Sequence, residues 1–191
     1  MPVTKLVFAF AIGSAPTESG YPFGYQQGLP WGHLKEDLKN FKEITKDSIL
    51  LMGGQTFRSL PGKLPGRMHT VLSSDGSQIV AKNGERADIV FKGGSLSATI
   101  DVLRGTYPDK DISIIGGKRM IEECISSTLV DEIHSTSICI DPSKTLSFDV
   151  CLDHGTITSI QEKYSLSGSK MNFVEGNDLV TAFLYQQWNK K

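Results

Sequence analysis

Two stretches of the sequence share one design: ILLMGGQTFRSL (residues 49–60) and ISIIGGKRMIEE (residues 112–123). In each, a nearly continuous apolar run, typical of a strand covered on both faces, ends in Gly-Gly, and a helical pattern begins at once. One Gly-Gly pair is explained by a tight turn. Two such pairs, Gly53-Gly54 and Gly116-Gly117, favour a nucleotide cofactor, since α/β folds bind ligands where strands end and helices begin.

Strand and helix patterns alternate along much of the chain, which predicts an α/β fold with a largely parallel sheet. Further strands are predicted at residues 6–12, 69–74, 87–91 and 130–138. Helical segments are predicted at residues 33–45, 56–60, 95–105 and 118–127. Two C-terminal strands, 156–168 and 178–188, are predicted to form an antiparallel hairpin, and residues 13–28 a mobile surface loop.

Length and composition limit the classes of protein. The 191 residues fit one domain spanning 1–191, and a net charge of −1 argues against a nucleic-acid binder. The apolar N-terminal run is too short for a membrane span. The cysteines are odd in number (Cys124, Cys139 and Cys151), which fits a reducing cytosol. The four histidines lie far apart in the sequence, so no metal site is indicated.

One acidic residue breaks an apolar pattern in GLPWGHLKEDLKNFK (residues 28–42). On a helical projection Asp37 falls between Phe41 and Ile44, inside the apolar stripe. An unpaired carboxylate is costly there, so Asp37 needs a partner. Trp31, just before this helix, is equally compatible with a core position.

A second candidate is Arg67 in LPGRMH (residues 64–69), directly after a Pro-Gly turn. The turn would present a guanidinium to a carboxylate, but a solvated surface arginine fits the motif equally well. The chain has neither GxGxxG nor GxxxxGK, so the ordinary dinucleotide fingerprint and the kinase motif are absent.

Five motifs together resemble dihydrofolate reductase: LPWGHLKEDLKNFK, ILLMGGQTFRSLP, LPGRMHTVLSS, ISIIGGKRMIE and VDEIHSTSI. The resemblance spans about residues 6–138 and looks most similar to the reductases of T4-like phages. It implies a three-layer fold, with helices on both faces of a mostly parallel twisted sheet and a C-terminal antiparallel hairpin. It also implies reduction of dihydrofolate to tetrahydrofolate by hydride transfer from NADPH, sensitivity to antifolates, and a cytoplasmic location, in the host if the chain is phage-encoded.

The resemblance assigns three residues to the reaction. Asp37 would accept hydrogen bonds from the pterin, with a pKa raised by desolvation. Thr136 would hydrogen-bond this acid, and Trp31 would belong with Leu29 to a lid over the ligands.

The binding residues implied by the resemblance fall into two sets. Arg67 would clamp the glutamate α-carboxylate of the substrate, and the pocket walls would be Val7, Ala9, Leu29, Leu38, Phe41, Leu60, Leu64 and Ile115. The cofactor would meet Ala9, Gly53, Gly54, Gln55, Thr56, Leu72, Ser73, Ser74, Ile115, Gly116, Gly117, Lys118, Arg119, Met120 and Ile121. The peptide bond between Gly116 and Gly117 is expected to be cis.

Two positions depart from the family pattern. Gly54 stands where a cation usually meets the cofactor's 2'-phosphate, which weakens the expected preference for NADPH over NADH, although Lys118 or Arg119 would compensate. Ile121 stands in place of a tyrosine near the nicotinamide. Two alternatives stay open: a riboflavin-pathway pyrimidine reductase and a non-catalytic folate- or nucleotide-binding component of an assembly. The sequence leaves the oligomeric state undetermined.

Overall fold

A computed structural model describes residues 1–13, 20–75 and 79–191 of the chain. Its strands are β1 (Thr4–Ile12), β2 (Tyr21–Gly24), β3 (Ile49–Gly53), β4 (Met68–Ser73), β5 (Ile89–Lys92), β6 (Ile112–Gly116), β7 (Glu132–Ile140), β8 (Val150–Leu152), β9 (Tyr164–Phe173) and β10 (Val180–Lys190). Its helices are α1 (Lys35–Ile44), α2 (Gly54–Ser59), α3 (Leu96–Thr106), α4 (Lys118–Ser126) and α5 (His154–Lys163). Within the described ranges, no helix is long and apolar enough to cross a membrane.

The main sheet has eight strands in the order β5-β4-β3-β6-β1-β7-β10-β9. The first six strands in this order run parallel, and β10 runs antiparallel to both β7 and β9. Strands β3 and β6 are neighbours, with Met52 opposite Gly116. The two Gly-Gly pairs therefore lie side by side at the carboxyl ends of these strands. The fold therefore brings together two junctions that are far apart in the sequence.

The central strands β3 and β6 are buried on both faces, as their continuous apolar runs predict. In β3, Ile49 and Leu51 join a core cluster with residues of α3 and α4, whereas Leu50 and Met52 join a different cluster with Phe57 of α2. Alternate side chains of a strand point to opposite faces, so these two clusters lie on opposite sides of the sheet. This arrangement is the predicted three-layer α/β fold.

One secondary-structure prediction for the C-terminal region is wrong. The strand predicted at residues 156–168 begins only at Tyr164, because residues 154–163 form helix α5. The β-branched residues of this segment resemble a strand locally, but Ile157 and Ile160 have helical spacing and both pack against the core. The predicted antiparallel hairpin is present, formed by β9 and β10.

The loop predicted at residues 13–28 is also wrong in part. Residues 14–19 lie outside the described residues, whereas Tyr21–Gly24 forms strand β2 and pairs with β8 in a separate two-stranded sheet. Aromatic packing explains this strand, since the Tyr21 ring lies 5.1 Å from the Phe10 ring, centroid to centroid. The β2–β8 pair was missed because its partners are more than 120 residues apart in sequence.

Candidate active site

A large cleft of about 1290 Å³ follows the carboxyl ends of the parallel strands. It brings together most of the residues singled out in the sequence, from β1, β3, β6, β7 and the helices beside them. Those that line the cleft are Val7, Ala9, Leu29, Asp37, Leu38, Phe41, Gly53, Gly54, Gln55, Thr56, Leu60, Leu64, Arg67, Leu72, Ser73, Ser74, Ile115, Gly117, Lys118, Arg119, Met120 and Thr136.

Asp37 lies in the first turn of α1 and is only 8% exposed. Loss of hydration raises the pKa of its carboxyl to about 6, and a hydrogen bond with the Thr136 hydroxyl partly offsets this by favouring the charged form. Thr136 is positioned by β7, where it lies opposite Ala9 of β1. Asp37 thus lies in the cleft with a carboxyl that is able to change protonation state near neutral pH.

The walls around Asp37 are mainly apolar. They come from the β1 residues Val7 and Ala9, from Leu38 and Phe41 on α1, and from Ile115 at the end of β6. Such a pocket fits a flat heterocycle, and the Asp37 carboxylate within it favours a ring that presents N–H donors. We call this half of the cleft, with Asp37 and Thr136, the pterin end, after the ring that the sequence resemblance assigns to it.

Arg67 is held in place by the end of α1. Its Nε donates to the Thr45 carbonyl at 3.1 Å and its Nη2 to the Lys42 carbonyl at 3.3 Å. Desolvation lowers the pKa of this guanidinium. Arg67 is partly buried and lines the cleft, so it is not a fully solvated surface arginine.

The turn that carries Arg67 is fixed by two features. Gly66 has φ +75°, a left-handed conformation that favours glycine. The Leu64 backbone N–H donates to Nε2 of the buried His69 at 2.9 Å. The guanidinium therefore lies on a rigid support.

The two Gly-Gly junctions form the other half of the cleft, which we call the phosphate end. The Gly116–Gly117 peptide bond is cis, as expected. A Cβ on Gly117 would lie 3.2 Å from the Thr56 hydroxyl oxygen, and one on Gly53 would lie 3.7 Å from the Gly117 nitrogen. Among the described residues no side chain caps the first turn of α4, so its backbone N–H groups are available to an anion. Bare backbone and a hydroxyl in close contact fit a cofactor pyrophosphate.

Three of the predicted site residues do not line the cleft. Trp31 is 4% exposed and packs with Leu34 and Ile138 in the core, which is the alternative that its motif left open. Within the described part of the chain, its buried indole Nε1 has no hydrogen-bond partner. Ile121 is fully buried in the core, on the inner side of α4, and Gly116 lies beneath Thr56 and Phe23.

The sequence interpretation missed several cleft residues. Phe23 and Tyr25 line the cleft beside Val150, and Asp149 accepts a hydrogen bond from the Gln26 backbone N–H at 2.9 Å. These residues belong to the β2–β8 pair and its flanks, for which the sequence held only one signal, the spacing of Tyr21 and Phe23. Arg58 of α2 also lines the cleft.

Two Gly-Gly junctions and a buried acid lie at the carboxyl ends of the strands in a parallel α/β sheet. This combination is typical of enzymes that act on a heterocycle with a nucleotide cofactor. The family model described as dihydrofolate reductase matches residues 15–172. The chain therefore belongs to the dihydrofolate reductase family, and the riboflavin-pathway alternative is set aside.

Individual relatives agree with this assignment. Dihydrofolate reductase type 9 of Escherichia coli is 33% identical over 129 residues, which are 68% of this chain and 70% of that protein. A dihydrofolate reductase of Staphylococcus aureus is 35% identical over 115 residues, covering 60% of this chain and 62% of its own length. The fold matches a dihydrofolate reductase from Enterococcus faecalis, solved with NADP(H) and an added compound, with a TM-score of 0.69 and 21% identity over 99% of this chain and 96% of that one.

Proposed function

We propose that this protein reduces 7,8-dihydrofolate to 5,6,7,8-tetrahydrofolate with NADPH, the reaction of its family. One observation supports this most directly: the cleft holds a buried carboxylate with a pKa of about 6 at one end and two glycine junctions at the other. The first matches a pterin ring with its N–H donors, and the second matches a dinucleotide with its phosphates.

The pterin end binds and orients the substrate. The Asp37 carboxylate accepts hydrogen bonds from the pterin amino group and ring N–H, with Thr136 fixing its position. Val7, Leu38 and Phe41 enclose the ring, and Arg67 pairs with the α-carboxylate of the glutamate tail. Because Asp37 satisfies its hydrogen-bonding needs through the ligand, its burial is tolerated.

The phosphate end holds the cofactor. Thr56 and the first turn of α4, from Gly117 to Met120, would bind the pyrophosphate, and Ser73 with Ser74 would lie near the adenosine. When bound, NADPH supplies the hydride that is added to carbon 6 of dihydrofolate. The bare backbone at Gly53 and Gly117 allows the close approach that this geometry needs.

The reduction also needs a proton at nitrogen 5 of the pterin. Asp37 contacts the far side of the ring by this assignment, so water delivers the proton. The role of Asp37 is to orient the ring and to tune its charge. Leu29 and the segment around it act as the lid that excludes bulk water, and Trp31 supports this lid from the core.

Three broader proposals accompany this function. We infer that residues 1–191 act as one domain, because Leu34, the residue directly before α1, and Phe183 of β10 join the same core cluster as Trp31 and Ile138. We infer a cytoplasmic site of action from the odd number of cysteines. The T4-like phage type is supported by the six-residue spacing from Trp31 to Asp37.

The decisive experiment is dihydrofolate-dependent loss of NADPH absorbance by the purified protein, run beside Asp37→Asn. We expect kcat/KM to fall by about 100-fold or more in the variant, since orientation and proton control at the ring are lost. NADPH binding should persist, because Asp37 lies at the pterin end.

Other outcomes have distinct meanings. A wild type that binds NADPH and dihydrofolate without turnover would instead support the non-catalytic binding component. A wild type that binds neither ligand would contradict the proposal.

A further inference from the structure

The phosphate end contains a cation that the sequence interpretation did not assign. Gly54 has no side chain where the family usually places Lys or Arg. The space that a Cβ on Gly54 would enter is bounded by Arg58 Nη1 at 3.5 Å, by Ser73 Oγ at 3.5 Å and by Ile79 Cδ1 at 3.4 Å. A guanidinium therefore occupies the position beside Gly54.

Helix geometry explains why Arg58 reaches this position. Long side chains on a helix lean toward its N-terminus and cover the residue one turn earlier. Arg58 follows Gly54 by four residues in α2, so its side chain passes over the glycine. The absence of a side chain at residue 54 leaves room for it.

The sheet order shows which part of a dinucleotide would meet Arg58. The pyrophosphate cradle lies between β6 with α4 and β3 with α2, whereas Ser73 ends β4, on the opposite side of β3 from β6. A cofactor whose nicotinamide lies at the pterin end would run from the cradle across β3 and bring its adenosine ribose to Ser73 and Arg58. A phosphate on that ribose would then lie between a guanidinium and two serine hydroxyls.

Asp75 adds an opposing charge. Its Oδ1 lies 3.8 Å from Arg58 Nη2 and accepts a hydrogen bond from Ser73 Oγ at 3.3 Å. Its side chain is 63% exposed and that of Arg58 is 29% exposed, so the ion pair is weak and a phosphate would compete for the guanidinium. Phosphate offers Arg two parallel hydrogen bonds and a higher charge than one carboxylate does.

We propose that Arg58 is the residue that selects a 2'-phosphorylated dinucleotide, taking the role of the missing cation at Gly54, and that Asp75 competes with this phosphate for the guanidinium. The inference rests on the proposed function, because it assumes that a dinucleotide occupies the phosphate end. By this inference, the preference for NADPH over NADH depends on the Arg58 side chain of α2.

The experiment measures dissociation constants of NADPH and NADH by cofactor fluorescence, without turnover. We expect Arg58→Gln to weaken NADPH binding about tenfold and to change NADH binding by less than about twofold, because only NADPH carries the 2'-phosphate. Lys39→Gln, which removes the same charge from an exposed position on α1 outside the cleft lining, should leave both constants unchanged.

Two further variants test the geometry and protect against a folding defect. Asp75→Asn should tighten NADPH binding about threefold and leave NADH unchanged, since it removes the competing carboxylate. In the double variant Arg58→Gln/Gly54→Arg, a cation returns to the same space from residue 54, which tolerates a Cβ without a contact shorter than 3.4 Å. NADPH affinity should return to within about threefold of the wild type.

The alternatives give different results. If Arg58→Gln raises the dissociation constants of NADPH and NADH equally, Arg58 contacts the pyrophosphate or has a structural role, and the inference is overturned. No change for either cofactor, or no rescue by the double variant, would overturn it as well. If the wild-type protein binds neither NADPH nor NADH, the proposed function itself fails, and the inference fails with it.

Discussion

The pterin end of the cleft depends on one buried carboxylate among apolar walls, whereas the phosphate end is built from backbone and from partly exposed polar side chains. Asp37 is 8% exposed and has one described partner, Thr136. At the phosphate end, by contrast, Thr56, Lys118, Arg119 and Ser73 all line the cleft beside two glycine junctions.

This difference sets how sharply each end responds to substitution. A buried charge in a low-dielectric pocket interacts strongly, and no second group replaces it when it is lost. Exposed cations and backbone N–H groups share the binding of a phosphate, so each contributes less. The comparison predicts large effects at Asp37 and graded effects elsewhere.

The largest expected effect is on stability. Ionised Asp37 is disfavoured by burial, and its pKa rises from 3.8 to about 6 on folding. Below pH 4 the carboxyl is protonated in both the folded and the unfolded protein, so its burial carries no ionisation penalty. The penalty grows between about pH 4 and pH 6, where only the unfolded state ionises, and stays constant above pH 6. Asp37→Asn should therefore raise the free energy of unfolding of the ligand-free protein by up to about 3 kcal/mol at pH 8, and by almost nothing at pH 4.

Urea unfolding at the two pH values measures this difference. Asp109→Asn, on the exposed surface, serves as the control with the same chemical change. A loss of stability at pH 8 in Asp37→Asn would show that protein contacts, rather than a ligand, satisfy the carboxylate.

The next prediction compares the two glycine junctions. Gly117→Ala places a methyl group 3.2 Å from the Thr56 hydroxyl oxygen, so Thr56 must shift and the cradle narrows. We expect the NADPH dissociation constant to rise about tenfold, because the contact of Thr56 with the cofactor phosphate is displaced. Gly54→Ala meets nothing closer than 3.4 Å and should change it by less than about twofold. Equal effects in the two variants, measured by fluorescence titration, would contradict this difference between the junctions.

A third prediction concerns the glutamate clamp. Arg67→Gln should raise the KM for dihydrofolate about fivefold, because a partly exposed guanidinium–carboxylate pair is lost. A dihydropterin without the glutamate tail provides the test, since its KM should not change. If the KM values of both substrates rise equally, Arg67 acts only through its hydrogen bonds to the end of α1.

The smallest predicted effect is on the acid itself. Thr136 lowers the pKa of Asp37 by hydrogen bonding to the charged form. Thr136→Val removes the hydroxyl at nearly constant volume, so the pKa of Asp37 should move upward from about 6. Titration of the Asp37 carboxyl by ¹³C NMR measures this directly, and an unchanged or lower midpoint would show that Thr136 does not stabilise the carboxylate.

Local patterns in the sequence predicted the parts of the molecule that depend on local periodicity. Apolar spacing predicted strands at residues 48–54 and 111–117 and a helix at 33–45, and the structure has them at 49–53, 112–116 and 35–44. Asp37 was noticed because it interrupts the apolar spacing of that helix. The two wrong secondary-structure predictions concern segments whose structure depends on contacts with distant parts of the chain. Residues 154–163 form a helix because this places Ile160 in the hydrophobic core. Tyr21–Gly24 forms a strand because it pairs with β8.

In the cleft, too, local sequence patterns did not predict the features that depend on tertiary packing. The resemblance placed Ile121 and Trp31 at the ligands, but packing against the core decides which way such large apolar side chains point, and both lie in core clusters. Arg58 was not predicted because its significance depends on a space left by Gly54 and on a neighbouring strand. The contact between α2 and Ser73 of β4 becomes visible only in three dimensions.

The position of β1 between β6 and β7 has a consequence for how the protein is made. On the ribosome β1 emerges before both of its neighbours in the sheet, which start at residues 112 and 132, so it cannot form these pairings until those strands have been synthesised. Pairings of such sequence separation form slowly. Asp37 and Thr136, which stand 99 residues apart, meet only after this step. The pterin end therefore requires β7 to be paired with β1, and a ligand that binds there favours the state in which this pairing has formed.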